Sequence, residues 1–129
     1  MDMNELLEPF ERMLESACPP AAVRAVERGG PVDAMRRELA ASGFLDALVA
    51  EEAGGAGLSL ADVAPLLMAL GKHAAPLPVA ETMVARGLLA AAGQQAPEGM
   101  IALATVSAGQ AVVVPFGLVG DHVLLDTGA

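Results

Sequence analysis

Val49-Ala50-Glu51-Glu52-Ala53-Gly54-Gly55-Ala56-Gly57-Leu58-Ser59 divides this chain into parts of different character. An acidic pair precedes three glycines in four residues, and a helix-start signal comes after them. Only glycine enters left-handed backbone conformations without steric cost, so the stretch predicts a hinge. The N-terminal side of the hinge reads as charged, surface-type helix. The C-terminal side reads as far more apolar helix.

Toward the N-terminus, a first helix is expected from about Asp2 to Ala17. Leu6, Leu7, Phe10, Met13, Leu14 and Ala17 recur at helical spacing, and most of the charges fall elsewhere. Pro9 predicts a later start near Leu6 or a bend, since proline removes a backbone donor. Pro19-Pro20 ends this helix, and a short one comes next over Ala21–Glu27, closed by Gly29-Gly30. Pro31 is placed to open a third over Val32–Ala41, stopped by Ser42-Gly43. Phe44-Leu45 and Ala47-Leu48-Val49 should dive under the bundle just before the glycines.

Past the hinge, Ser59-Leu60-Ala61-Asp62 is a variant of the capping box with Asp in the usual Glu position. Ser59 is read as the start of the fourth helix, although Pro65 would sit better, in the first turn, if Asp62 were the cap. This fourth helix continues to Lys72-His73, where a cation suits the C-terminal dipole. A fifth runs from about Val79 to Ala92. Both are apolar almost all round, with Asp62, Glu81 and Arg86 their only charges apart from Lys72. Such helices must be covered on all sides, so a surface here should meet further domains or a second subunit.

After Pro97 the period changes. Met100–Val106, Ala111–Pro115 and His122–Asp126 are short runs rich in Val, Ile and Leu, separated by glycine-bearing turns, and read as strands. The expected fold is mainly α: a bundle of about five helices over residues 1–97, then two or three short β-strands. Residues 98–129 would be the start of an incomplete β domain, marginal alone and with open edges.

Composition narrows the function. The 129 residues carry 16 acidic and 7 basic side chains, a net charge of −9, which disfavours nucleic acid as a partner. No apolar run reaches the ~18–20 residues of a membrane span, and residues 1–15 lack a signal-peptide pattern, so a cytoplasmic location is expected. A single cysteine, Cys18, excludes an internal disulfide and a cysteine-rich zinc site, and reads as an apolar filler.

Chemistry is not declared outright. Glu51 and Glu52 diverge as neighbours and read as solvated carboxylates rather than an acid/base pair. Gly54-Gly55-Ala56-Gly57 fits neither GxGxxG nor a P-loop, and no lysine comes after it. His73 and His122, the only histidines, lie on different elements without convergent carboxylates, so no metal site is read. Met68, Met83 and Met100 read as adaptable core.

The run Gly43 to Ser59 resembles the N-terminal helical domain of acyl-CoA dehydrogenases, which show a Pro-Glu-Glu-x-Gly-Gly-x-Gly-x-Ser pattern. Ala50 stands in the proline position. Leu70 to Pro78 is similar to the end of the next helix and its proline-marked turn. Val114-Pro115-Phe116-Gly117 with Asp121 to Leu125 looks like a strand pair from the start of the family's middle β domain. The resemblance implies an FAD flavoenzyme that oxidises an acyl-CoA thioester between Cα and Cβ. A carboxylate base takes the α-proton and the flavin takes the β-hydride.

In that family the catalytic Glu and most flavin contacts lie in the middle and C-terminal domains. No catalytic residue is therefore expected here, no role passes to Glu51 or Glu52, and the chain alone should neither hold FAD tightly nor turn over. The fifth helix borders the acyl cavity in the family, which makes Glu81, Met83 and Val84 candidate wall residues. Implied partners are the acyl-CoA substrate and the missing domains or a partner subunit, in a homo-oligomer. Two other readings stay open: a non-catalytic acidic interaction module, and one subunit of a split dehydrogenase.

Overall fold

The computed structural model describes residues 3–128. In order come α1 (Met3–Ala17), α2 (Pro20–Glu27), α3 (Asp33–Ala41), two single-turn 3-10 segments (Phe44–Asp46 and Glu51–Ala53), α4 (Leu60–Lys72), α5 (Val79–Ala91), β1 (Ile101–Thr105) and β2 (His122–Asp126). Asp2, read as the start of the first helix, lies outside the described residues.

Helix α1 keeps to its apolar stripe. Phe10, Leu14 and Ala17 are buried, while Glu8, Arg12 and Glu15 face outward. The helix runs on from Met3 through Pro9 to Ala17, in keeping with the longer of the two expected extents and without the later start that Pro9 suggests. An interior proline costs about 3 kcal/mol, yet two fully buried large side chains come within five residues of it. Phe10 meets Phe44 edge to face at 4.9 Å, seating α1 on the first 3-10 turn. The same apolar cluster takes in Leu39, Leu45, Ala47, Val63, Leu66, Val79 and Met83, so the segment before the glycines does dive beneath the bundle.

Two further details depart from the sequence reading, and a third decides between its alternatives. Helix α2 begins at Pro20 itself, and Pro31 stands outside α3, whose N-cap is Val32. The cap of α4 is Ser59, not Asp62: the Asp62 amide donates to Ser59 Oγ (3.1 Å) and the Ser59 amide to Asp62 Oδ2 (2.9 Å). This reciprocal box satisfies two otherwise orphaned amides, and burial of Val63, Leu66, Ala69 and Leu70 holds the helix together through Pro65.

The last departure is in the β segment. Strands β1 and β2 pair in parallel, from Ile101 opposite His122 to Thr105 opposite Asp126. Ala111–Pro115 is not a strand, and 114–117 is turn rather than half of a strand pair. Parallel neighbours need a long crossover, and this stretch is spent making it. Its valines have strand propensity but no adjacent strand to pair with.

The glycine stretch is a closed turn folded back on residues 46–50. Gly54 donates to Glu51 O, Gly55 to Ala50 O, Ala56 to Asp46 O, Gly57 to Val49 O and Leu58 to Ala47 O, all between 2.8 and 3.2 Å. Gly54 takes φ +95°. A Cβ on Gly55 would stand 2.6 Å from Asp46 O and closer still to Val49 O.

A candidate cleft beside the α4–α5 turn

Helix α5 is fixed on two sides. Arg86 Nε lies 2.6 Å from Asp46 Oδ1 on the first 3-10 turn, and Gly87 lets the helix approach Leu48 closely. On the other side the fully buried Thr82 hydroxyl donates to Pro78 O (2.5 Å) and accepts the Ile101 amide (2.9 Å). One hydroxyl thus ties the helix to the first residue of β1. This bridge was not legible in the sequence, since Thr82 looks like any helical threonine and its partner is nineteen positions away.

Held in this way, α5 and the end of α4 form one wall of a cleft of about 610 Å³. Leu67 and Leu70 come from α4, Leu77 from the turn, Ala80 and Glu81 from α5, and Phe116 with Val119 from the crossover. Val26 and Glu27 of α2 complete it. The lining is largely aliphatic with two carboxylates, which suits an apolar group better than an anion. Of the three candidate wall residues, Glu81 lines this cleft. Met83 is fully buried in the core, and Val84 is half-buried outside the cleft lining. Leu70 and Leu77 lie in a stretch the sequence had marked. Phe116 carries no sequence signal that could have placed it here.

The remaining titratable groups make no second centre. Among the described residues no three of His, Cys, Asp and Glu converge as metal ligands. His73 caps the C-terminus of α4, its Nε2 buried 3.9 Å from Glu11 Oε1, within Coulombic reach but without a hydrogen bond. Lys72 Nζ reaches the same oxygen at 3.2 Å. His122 Nε2 sits 3.0 Å from Glu98 O. Burial, and secondarily Glu38, pushes the Cys18 thiol up to about 11, which keeps it protonated and unreactive.

These residues do not by themselves build a flavin site. In the glycine turn, the amides of residues 53–58 already donate to carbonyls, so none is free to face a pyrophosphate. Glu51 and Glu52 beside it are exposed, and the cleft adds two more negative charges.

The acyl-CoA dehydrogenase N-terminal domain model matches residues 2–99, so this chain belongs to the acyl-CoA dehydrogenase family through that domain. Comparison with curated proteins and with solved structures gives no match. Among the described residues no helix is long and apolar enough to cross a membrane.

Proposed function

We propose that this chain supplies the helical wall of an acyl-CoA-oxidising flavoenzyme, and that the cleft beside the α4–α5 turn receives the acyl chain. The observation that carries the reading is the aliphatic cleft on the α5 side of a chain of this family. Residues 98–129 would then begin the β domain that helps enclose the flavin. The α-proton base and most FAD contacts would come from middle and C-terminal domains or from a partner subunit. This chain's own work is to bind the apolar tail, orient it and exclude water. Leu67, Leu70, Leu77 and Ala80 present methyl-lined surface, and Glu81 keeps its carboxylate at partial exposure. FAD, when bound in the assembled enzyme, supplies the hydride acceptor.

Calorimetry with acyl-CoAs of increasing length tests this, with the chain joined to the polypeptide that supplies the flavin. Affinity should rise by about 0.8 kcal/mol per methylene buried and then level off. Ala80→Phe should bring the plateau to shorter chains. Affinity that is independent of chain length in both proteins would overturn the assignment of the cleft.

The exposed apolar side chains Leu60, Met68 and Leu88 on α4 and α5 favour a second reading, a module that only docks. That reading expects tight binding to a partner protein and no flavin absorbance in the complex.

A further inference from the structure

The wall of the cleft that comes from the crossover differs from the others in how it is held. Its ends are fixed. The Val106 amide donates to Asp126 O, and the Asp121 and His122 amides both donate to Met100 O. The Asp121 carboxylate also accepts the Met100 amide at 2.7 Å. Between those ends the backbone hydrogen bonds close within the segment itself: Gln110 to Ser107, Gly117 to Val114, Val119 and Gly120 to Phe116. Val113 is 90% exposed and Leu118 fully exposed, so apolar packing on this segment is confined to Phe116 and Val119 at the cleft. Phe116 stands in the left-handed region at φ +62°, which a bulky side chain rarely adopts.

One side chain of the helical body reaches this segment with a hydrogen bond among the described residues. Arg36 of α3 donates from Nη2 to Val119 O at 3.3 Å. Its guanidinium is aimed by carboxylates on both sides, Nη1 3.3 Å from Asp33 Oδ1 and Nε 3.3 Å from Asp121 Oδ2. The second contact lies outside hydrogen-bond geometry and leaves Nε buried without a bonded acceptor, so it acts through charge alone. Segments with few buried contacts and local hydrogen bonds open first.

We propose that residues 107–120 form a strap over the cleft, closed by Arg36, whose guanidinium, aimed by Asp33 and Asp121, latches the Val119 carbonyl with a hydrogen bond. Closed, the strap presents Phe116 and Val119 to Leu67, Leu70, Leu77 and Ala80. Released, it swings on its ends at Val106 and Asp121 and opens that side of the cleft. The strap works in this way whatever occupies the cleft, so it does not depend on the acyl-chain assignment.

The chain has no Trp or Tyr, so Phe116→Trp places a single fluorophore in the strap. Emission and acrylamide quenching of this variant are compared with those of F116W carrying Arg36→Gln. The latch predicts longer-wavelength emission and stronger quenching in the double variant, with unchanged far-UV circular dichroism. Equal emission and quenching with unchanged dichroism overturn it. If Arg36→Gln costs helix content, potassium chloride titration of F116W alone decides. The two carboxylate contacts that aim Arg36 weaken as the Debye length falls from about 10 Å at 0.1 M to about 3 Å at 1 M. At a chain concentration where sedimentation shows a monomer throughout, a progressive red shift supports the latch, and a constant spectrum up to 1 M overturns it. Acyl-CoA affinity is not read in any arm, so failure here leaves the cleft's proposed ligand untouched.

Discussion

Ala50 holds φ −58° and ψ 148°, angles that proline adopts without strain. Its amide donates to no backbone acceptor in the turn, whereas its carbonyl accepts from Gly55 and Ala53. The proline usual at this position would therefore fit unchanged. Ala50→Pro should raise stability by about 0.4–1 kcal/mol through the unfolded chain's lost freedom, read as a higher urea midpoint at constant slope. Gly55 is the opposite case, because an added Cβ meets the carbonyls of Asp46 and Val49, and backbone cannot step aside as a side-chain tip can. Gly55→Ala should cost about 3 kcal/mol, the upper end for overpacked sites. A thermal midpoint within error of the wild type would contradict that. The Cys18 thiol, raised by burial, should stay inert to alkylation at pH 8 in the folded chain and react once the chain is unfolded in denaturant.

Helix α4 rests on its capping box, and the Asp62 carboxyl shows it. The Ser59 amide and then the Ser59 hydroxyl hold its pKa below the ordinary 3.8. A carboxylate with a depressed folded-state pKa contributes its stability above the ordinary value and loses it as pH falls through the lowered one. The first turn of α4 should thus fray below about pH 4, seen as lower protection of the Ser59 and Asp62 amides relative to their intrinsic exchange at the same pH, while Ser59→Ala costs ~1 kcal/mol at neutral pH. Between α5 and β1, Thr82→Val keeps the shape but leaves the buried Ile101 amide without its acceptor. A loss of about 1–3 kcal/mol is expected in chemical denaturation. Elements whose cause is local were legible in the sequence: the apolar stripe of α1, the Ser59 capping box and the glycine turn. Local rules in conflict were not. Pro9 and Pro65 weakened two helices on paper because propensity counts one lost bond and cannot count the packing that outweighs it. Ala111–Pro115 has strand composition, yet a strand is defined by its neighbour, and β1 pairs with β2 instead. For the cleft, Glu81 was named only through the family resemblance, while Phe116 and Val119 arrive through a crossover that no spacing announces.

At the scale of the molecule, uncovered apolar surface and a net charge of −9 act against each other. Leu118 and Val113 stand on the crossover, and Met68, 76% exposed, stands on α4, a distribution that invites association. Like-charged copies repel at low salt, which holds the apolar surfaces apart. Raising salt to 1 M shortens the Debye length to about 3 Å and removes the repulsion while leaving hydrophobic attraction in place. Sedimentation of the chain should therefore show a monomer at low ionic strength and a growing dimer fraction at high. Val113→Glu with Leu118→Glu puts two charges on the crossover without touching α4 or the helical core. If the crossover is the sticky surface, this variant stays monomeric at 1 M salt. If it associates as the wild type does, the contact belongs to the α4 face around Leu60 and Met68, and the same substitution pair moved to those two residues should abolish it. A wild-type chain that remains monomeric at every salt concentration would show that neither surface is large enough to drive pairing and that −9 is not what keeps the copies apart.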